Sequence, residues 1–393
     1  MMQVAENPIP YGRQTISEAD VEAVIEVLHS DWLTQGPAIE RFERGVADYC
    51  GAQHAVAVCN ATAALHLACR ALDLVPGDLL WTTPNTFVAS ANCGLYAGAE
   101  VDFVDIDPQS YNMSVDKLRE KLEKAASHRR LPKVVVPVDF SGQSAEMAEI
   151  ARLGRQYGFR IIEDASHAIG GDYRNRKIGD CTYSDITVFS FHPVKIITTG
   201  EGGMALTNDS KLQQKLALLR SHGITRDPLQ MTGKVDEGKW YYEQVDLGFN
   251  YRMTDLQAAL GLSQLGRIDE FVARRRYLAA RYTEALRPLA VKTPWQSDEG
   301  VSAWHLYVIQ IDSTRTGRTR REVFDSLRQA GVLANVHYIP VHLQPFYRCM
   351  GFEPGGFPEA EAYYDRALSL PLYFGLTDEK QDFVVRVLSE ALA

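Results

Sequence analysis

Seven short apolar runs recur between residues 54 and 207, at 54–59, 78–82, 101–106, 133–138, 159–163, 187–191 and 203–207. Most are apolar at successive positions rather than at alternate ones, as in Val134-Val135-Val136. A run of that kind suits a strand buried on both faces. Helical patterns lie between several of them, as at 63–74 and 115–125. This alternation predicts an α/β chain with a large, mainly parallel sheet sandwiched by helices. Ligands of such sheets gather beyond the carboxyl ends of the strands.

The pattern changes after Gly248. Thr254 and Gln257 form a capping box, and a helix-forming stretch runs from Asp255 past Arg276. A strand candidate at 304–311, a helix at Arg320–Gln329 and a terminal helix starting near Thr377 follow. The expected division is 1–255, an N-terminal arm and large α/β domain, and 256–393, a linking helix and smaller C-terminal α+β domain. Near the start, Ser17 and Asp20 frame another helix, with Val21, Val24, Ile25 and Leu28 as its apolar stripe.

Bulk properties exclude several functions. The formal charge of −9, from 41 basic and 50 acidic residues, argues against nonspecific binding to nucleic acid or acidic membranes. No apolar run approaches the roughly 20 residues of a membrane span. The start, Met1-Met2-Gln3-Val4-Ala5-Glu6, lacks the basic and apolar parts of an export signal. Six cysteines without a C-x-x-C pair read as reduced, mostly packing residues of a cytoplasmic protein. His337 and His342 flank Pro340, which breaks a helical metal face, so no metal site is expected.

One lysine stands out. Lys195 lies in the largely apolar stretch 187–203, where an ammonium is costly unless paired or used. A desolvated lysine is an amine ready to form a Schiff base with a carbonyl. Pyridoxal phosphate (PLP) is the commonest aldehyde cofactor that needs one. It also demands an acidic partner for its ring nitrogen and a cradle for its phosphate. Asp164 ends the run 159–163 and suits the first role, although a turn-capping aspartate is an equal alternative. His167 stands three residues on, as a neighbour for the ring hydroxyl or as a packing histidine. Asn60 is a good N-cap, and the small residues Ala61 and Thr62 after it leave helix N–H groups open to an anion. Ser190 offers another hydroxyl. Phe87 is a candidate to cover one face of the ring, or a core aromatic. Arg226 and Arg252 are candidates for carboxylate or phosphate contact, or solvated surface residues.

Taken in order, these residues resemble the DegT/StrS family of PLP-dependent nucleotide-sugar aminotransferases across nearly the whole chain. The resemblance rests on Gly36-Pro37 with Phe42-Glu43, on Asn60-Ala61-Thr62-Ala63-Ala64-Leu65-His66 and on Thr86-Phe87-Val88-Ala89. It continues through Glu163-Asp164-Ala165-Ser166-His167-Ala168, through Ser190-Phe191-His192-Pro193-Val194-Lys195 and into Glu201-Gly202-Gly203. Gly248-Phe249-Asn250-Tyr251-Arg252-Met253 and His337-Tyr338-Ile339-Pro340-Val341-His342 complete it.

The resemblance implies the aspartate-aminotransferase-like type I PLP fold and a homodimer with shared active sites. It makes Lys195 the Schiff-base lysine and Asp164 the ring-nitrogen partner. Ala61, Thr62 and Ser190 would hold the phosphate, Phe87 would stack on the ring, and His167 would neighbour the ring hydroxyl. Asn250 would reach the phosphate from the partner chain. Thr34, His337 and Tyr338 would contact the sugar nucleotide. Some relatives carry histidine at the lysine position and dehydrate sugars; Lys195 favours transamination. Within the family the chain is similar to the branch serving pseudaminic acid biosynthesis. That similarity rests on 9–14, 30–37, 101–107, 111–114 and 139–143. It implies amine transfer from L-glutamate to the 4-keto carbon of a UDP-linked 4-keto-6-deoxy-N-acetyl hexose, with pyridoxamine phosphate formed between the two halves of the cycle. The implied product is UDP-4-amino-4,6-dideoxy-N-acetyl-beta-L-altrosamine. A related enzyme using another keto sugar, a PLP enzyme that does not transaminate and a PLP-binding regulator without turnover are the alternatives.

Overall fold

All seven apolar runs become strands of one sheet in the computed structural model, which describes residues 4–233 and 238–393. Residues 1–3, read above for an export signal, lie outside the described residues. The strands are His54–Val58, Leu79–Thr82, Glu100–Phe103, Val134–Val136, Arg160–Asp164, Ile186–Ser190 and Gly203–Thr207. Across the sheet they lie in the order 54–58, 203–207, 186–190, 160–164, 134–136, 79–82, 100–103. Gly203–Thr207 runs against both its neighbours, and the other adjacent pairs are parallel. The sheet is therefore mainly parallel, as expected.

Strand geometry sends successive side chains to opposite faces. Ile161 and Phe189 join one buried cluster with the helices Pro37–Cys50, Val115–Ser127 and Met147–Tyr157. Ile162 and Val188 join another with Ala61–Ala71, Ala89–Tyr96 and Ser210–Arg220. Each fully buried aliphatic side chain contributes roughly 1.5–3 kcal/mol. Burial on both faces is why these strands read as continuous apolar runs.

The antiparallel strand matters for function. A strand that returns beside its predecessor needs only a loop, not a crossover helix. Residues 191–202 are that loop, at the carboxyl end of Ile186–Ser190. It is tied down by Phe191 N–H to Gly202 O (2.9 Å), Thr199 N–H to Phe191 O (3.0 Å) and a turn from Lys195 N–H to His192 O (2.9 Å).

Three expectations need correction. The stretch after Thr254 does begin with its capping box, but it is two helices, Asp255–Leu265 and Ile268–Leu286, broken at Gly266-Arg267. The strand expected from 304 begins only at Tyr307, because Trp304 takes a left-handed backbone (φ 53°). The helix Glu18–Leu28 has its capping box, yet Val21, Ile25 and Leu28 of its stripe are exposed. Its buried side carries Val27 and Asp20, and Asp20 accepts from Ser263 Oγ and Gln264 Nε2, each at 2.6 Å.

A third buried cluster lies in the C-terminal part. Tyr307, Ile309 and Ile311 of the strand Tyr307–Ile311 pack with Leu368 and Leu370 of Ala367–Leu370. The helices Ile268–Leu286, Arg320–Gln329 and Asp378–Leu392 cover them. The N-terminal arm joins this part through the strand Ile9–Pro10, which pairs with Val332–Leu333. Its next residue, Tyr11, accepts from Leu372 N–H (3.0 Å). Among the described residues, no helix is long and apolar enough to cross a membrane.

Candidate active site

A cavity of about 590 Å³ opens at the carboxyl ends of the parallel strands. Ala61, Thr62, Phe87, Asp164, His167, Ser190, Lys195, His337 and Tyr338 all line it. Residues separated by up to 277 positions thus converge on one space (338 − 61). A larger open groove, about 870 Å³, follows the edge strand Glu100–Phe103 and holds none of them. Thr34 and Asn250 are exposed and lie off the cavity of their own chain. Arg226 and Arg252 also lie off it; Arg226 sits over the Tyr242 ring at 5.9 Å.

Lys195 projects from the 191–202 loop and is partly buried. Burial pulls its ammonium down to about 8, and the charge of Asp164 opposes that fall. Among the described residues it makes no ion pair. A lysine in that state is about one-tenth amine at pH 7, far more than a solvated lysine.

Asp164 ends the strand Arg160–Asp164 and is 4% exposed. Its Oδ1 accepts from Ser166 N–H (3.2 Å) and Ser166 Oγ (2.5 Å). Its Oδ2 accepts from Ser90 Oγ at 2.6 Å. The turn-capping reading of Asp164 is therefore correct, and it leaves the carboxylate on the cavity wall as well.

The opposite end of the cavity is a helix start. Asn60 caps Ala61–Ala71, its side chain accepting from Ala63 N–H at 2.8 Å. The N–H groups of Ala61 and Thr62 have no acceptor among the described residues, and Thr62 and Ser190 add hydroxyls. Gly203 passes so close that a Cβ there would meet Ala61 N at 2.5 Å and Asn60 O at 2.6 Å. Free amides, hydroxyls and the helix dipole make a site for an anion.

Aromatic groups close the remaining sides. Phe87 is 59% exposed, so it is not a core aromatic, and its ring lies 6.2 Å from that of Tyr338. His167 is buried, and its Nδ1 accepts from Ser141 N–H (3.3 Å). Its Nε2 therefore carries the proton, 3.1 Å from Tyr338 Oη. Burial holds His167 neutral by pushing its pKa well down. His337 is pushed down to about 3 by burial and bonds Ser369 Oγ (2.8 Å). His342 turns away and pairs with Glu361 at 2.9 Å, an acidic partner the local sequence did not reveal. Among the described residues, no cluster of side chains is suited to hold a metal ion.

A model of the DegT/DnrJ/EryC1/StrS aminotransferase family matches residues 14–389. The chain belongs to that family. It is 40% identical over 393 residues to the spore coat polysaccharide biosynthesis protein SpsC of Bacillus subtilis, covering 99% of this chain and 98% of that one. It is 36% identical over 385 residues to the UDP-4-amino-4,6-dideoxy-N-acetyl-beta-L-altrosamine transaminase of Campylobacter jejuni (serotype O:23/36), covering 98% and 97%. The solved structure of Helicobacter pylori PseC, an aminotransferase of pseudaminic acid biosynthesis, superposes with a TM-score of 0.89 at 30% identity. That match covers 98% of this chain and 99% of PseC. The fold is the mixed α/β fold of the PLP aminotransferases in this family, and the chain is a PLP-dependent sugar aminotransferase.

The donor set fits the cofactor. A lysine with a lowered pKa, a fixed carboxylate and a helix start with unpaired amides match an aldehyde, a basic ring nitrogen and a phosphate, respectively. Several cavity residues escaped the sequence reading. Ser166 carried a signal, since a serine two places after an aspartate commonly closes a turn onto it. Ser90 follows Phe87 by three residues but reaches Asp164 only through the fold. Tyr11, Asn335 and Glu201 also line the cavity, and the residue type of each does not mark it out for that place.

Proposed function

We propose that this aminotransferase moves the amino group of L-glutamate to the 4-keto carbon of a UDP-linked 4-keto-6-deoxy-N-acetyl hexose. The product is UDP-4-amino-4,6-dideoxy-N-acetyl-beta-L-altrosamine, in pseudaminic acid biosynthesis. The observation that carries the chemistry is the convergence of Lys195, Asp164 and the open helix start of Ala61 and Thr62 on one cavity. The likeness to the Campylobacter transaminase and to PseC supports the substrate.

Bound PLP supplies an aldehyde for amine capture and a ring that accepts electrons. Lys195 Nζ is the anchoring nucleophile, and, once free, it takes the proton from the donor's α-carbon. In the second half of the cycle it delivers a proton to C4 of the sugar. Asp164 holds the ring nitrogen protonated, and Phe87 covers one ring face. Ala61 N–H, Thr62 and Ser190 hold the phosphate, and His167 stands by the ring hydroxyl. His337 and Tyr338 contact the sugar nucleotide in their own cavity, and Thr34, which lies off it, contacts the sugar nucleotide of the partner's site.

The same reading makes the enzyme a homodimer. Asn250 is exposed and does not line the cavity of its own chain, which supports a role in the partner's site. The exposed stripe of Val21, Ile25 and Leu28, with Trp32 and Leu33, supports a covered surface there. Division near residue 255 belongs to this proposal, supported by the separate C-terminal core. So does a cytoplasmic setting, in keeping with six free cysteines.

A second reading keeps the chemistry and changes the sugar. The 40% identity to SpsC, a spore coat polysaccharide protein, favours it. An amine-transfer assay across several 4-keto UDP sugars decides, with 2-oxoglutarate release measured and product configuration read by NMR. Transfer confined to a different sugar would replace the first reading with the second. No 2-oxoglutarate from any acceptor would sink both.

A further inference from the structure

Asp164 has unequal oxygens. An ionised carboxylate offers about two acceptor positions on each oxygen. Oδ1 already takes two donors, the N–H and the hydroxyl of Ser166. Oδ2 takes one, Ser90 Oγ at 2.6 Å. The spare acceptor position is therefore on Oδ2.

The proton order around Ser90 also follows from the contacts. Ser90 Oγ has a single proton, and the carboxylate can only accept, so Ser90 donates to Asp164. Thr86 Oγ1 lies 2.7 Å from Ser90 Oγ and must then be the donor in that pair. The competing acceptor for Ser90, the Phe87 carbonyl, is farther away at 3.3 Å and uncharged. Thr86 and Ser90 are 3% and 1% exposed, so no solvent competes for either hydroxyl. Hydrogen bonds in such a dry chain polarise one another.

We propose that Ser90, backed by Thr86, is a positioning residue that holds Asp164 Oδ2 as the acceptor for the ring N–H of PLP. This rests on the reading of Asp164 as the ring-nitrogen partner and assigns that role to one oxygen. Ser90 touches neither substrate nor cofactor in this scheme. It stops the carboxylate from rotating. The bland alternative is that Ser90 only steadies the start of the Ala89–Tyr96 helix.

The test compares wild type, Ser90→Ala, Thr86→Val, Thr86→Ser and Asp164→Asn. Two quantities are read: the dissociation constant for PLP titrated into apoprotein, by absorbance, and the single-turnover rate with L-glutamate. Both are repeated with 1-deazapyridoxal phosphate, which has carbon in place of the ring nitrogen. A hydrogen bond to a charged group sets the scale, so Ser90→Ala should slow the glutamate step about 10- to 100-fold with PLP. Thr86→Val should slow it a few fold and Thr86→Ser hardly at all. With the deaza cofactor, wild type and Ser90→Ala should agree within about two-fold, because no ring N–H remains to be positioned.

Wild-type speed in Ser90→Ala with PLP, or an equal penalty with both cofactors, would overturn the proposal. Asp164→Asn separates this from the underlying reading. If it collapses the rate with PLP while Ser90→Ala does not, only the positioning role fails. If Asp164→Asn is itself indifferent to the ring atom, the reading of Asp164 fails. Should Ser90→Ala not fold, Thr86→Val decides by the same comparison of cofactors: a penalty seen with PLP alone supports the relay, and none, or an equal one with both, overturns it.

Discussion

A Cβ on Gly203 would sit 2.5 Å from the amide nitrogen of Ala61. The strand Gly203–Thr207 and the start of the Ala61–Ala71 helix touch backbone to backbone, and that contact shapes the anion end of the cavity.

Gly203→Ala should therefore damage cofactor retention before it damages the sheet. Overpacking typically costs about 1–3 kcal/mol, and here the displaced atoms are the phosphate's donors. PLP affinity should drop about 10-fold or more, which is about 1.4 kcal/mol or more and comparable with the overpacking cost itself. Fluorescence titration of apoprotein and a urea curve check this together; a lowered urea midpoint with unchanged affinity would contradict it.

Lys195 gives a prediction in pH. Its pKa falls from 10.5 when unfolded to about 8 when folded, so between those values the unfolded chain binds more protons. Apoprotein stability should then rise with pH through that window. Below pH 8 the buried ammonium costs roughly 3 kcal/mol. Lys195→Met should remove both the slope and the cost, raising the thermal midpoint at pH 7 while abolishing transamination. Capture of PLP by wild-type apoprotein should quicken as pH climbs toward 8, since only the neutral amine attacks. Stopped-flow absorbance measures it.

Arg275 is a buried cation with no carboxylate partner among the described residues. It is 2% exposed, and its Nη1 donates to the carbonyls of Trp304 (3.2 Å), His305 (3.2 Å) and Leu372 (2.9 Å). Burial lowers its pKa to about 10. Arg275→Ala leaves three carbonyls unserved and a void, and should cost about 3–5 kcal/mol. Arg275→Met fills the void and should cost less. Urea unfolding of the two variants tests the order.

Shared sites predict complementation. Lys195→Ala and Asn250→Ala chains, each inactive alone, should regain part of the activity when mixed, because one site of the heterodimer has both residues. Failure to recover, with subunit exchange verified by mass, would count against Asn250 acting across the interface.

Much of the fold was legible because sheet strands buried on both sides leave uninterrupted apolar runs. Strand order and the reversed direction of 203–207 were not, since both depend on pairing between distant segments. Likewise Lys195 and Asp164 drew notice from local context, an ammonium in an apolar run and a carboxylate closing one. Tyr11, Ser90 and Asn335 carry no such mark: ordinary polar residues become cavity walls only when chain ends and helix starts meet. The stripe of Val21, Ile25 and Leu28 misleads in the opposite sense, because periodicity reports an apolar face but not what lies against it.

The arm pairing at Ile9–Pro10 places Tyr11 on the cavity wall, and a Cβ on Gly12 would meet the side chain of Val194, the residue before Lys195, at 3.4 Å. Residues 4–12 thus act as masonry rather than a loose strand end. Clipping them with a protease would breach the chamber, so purification tags belong at the far terminus.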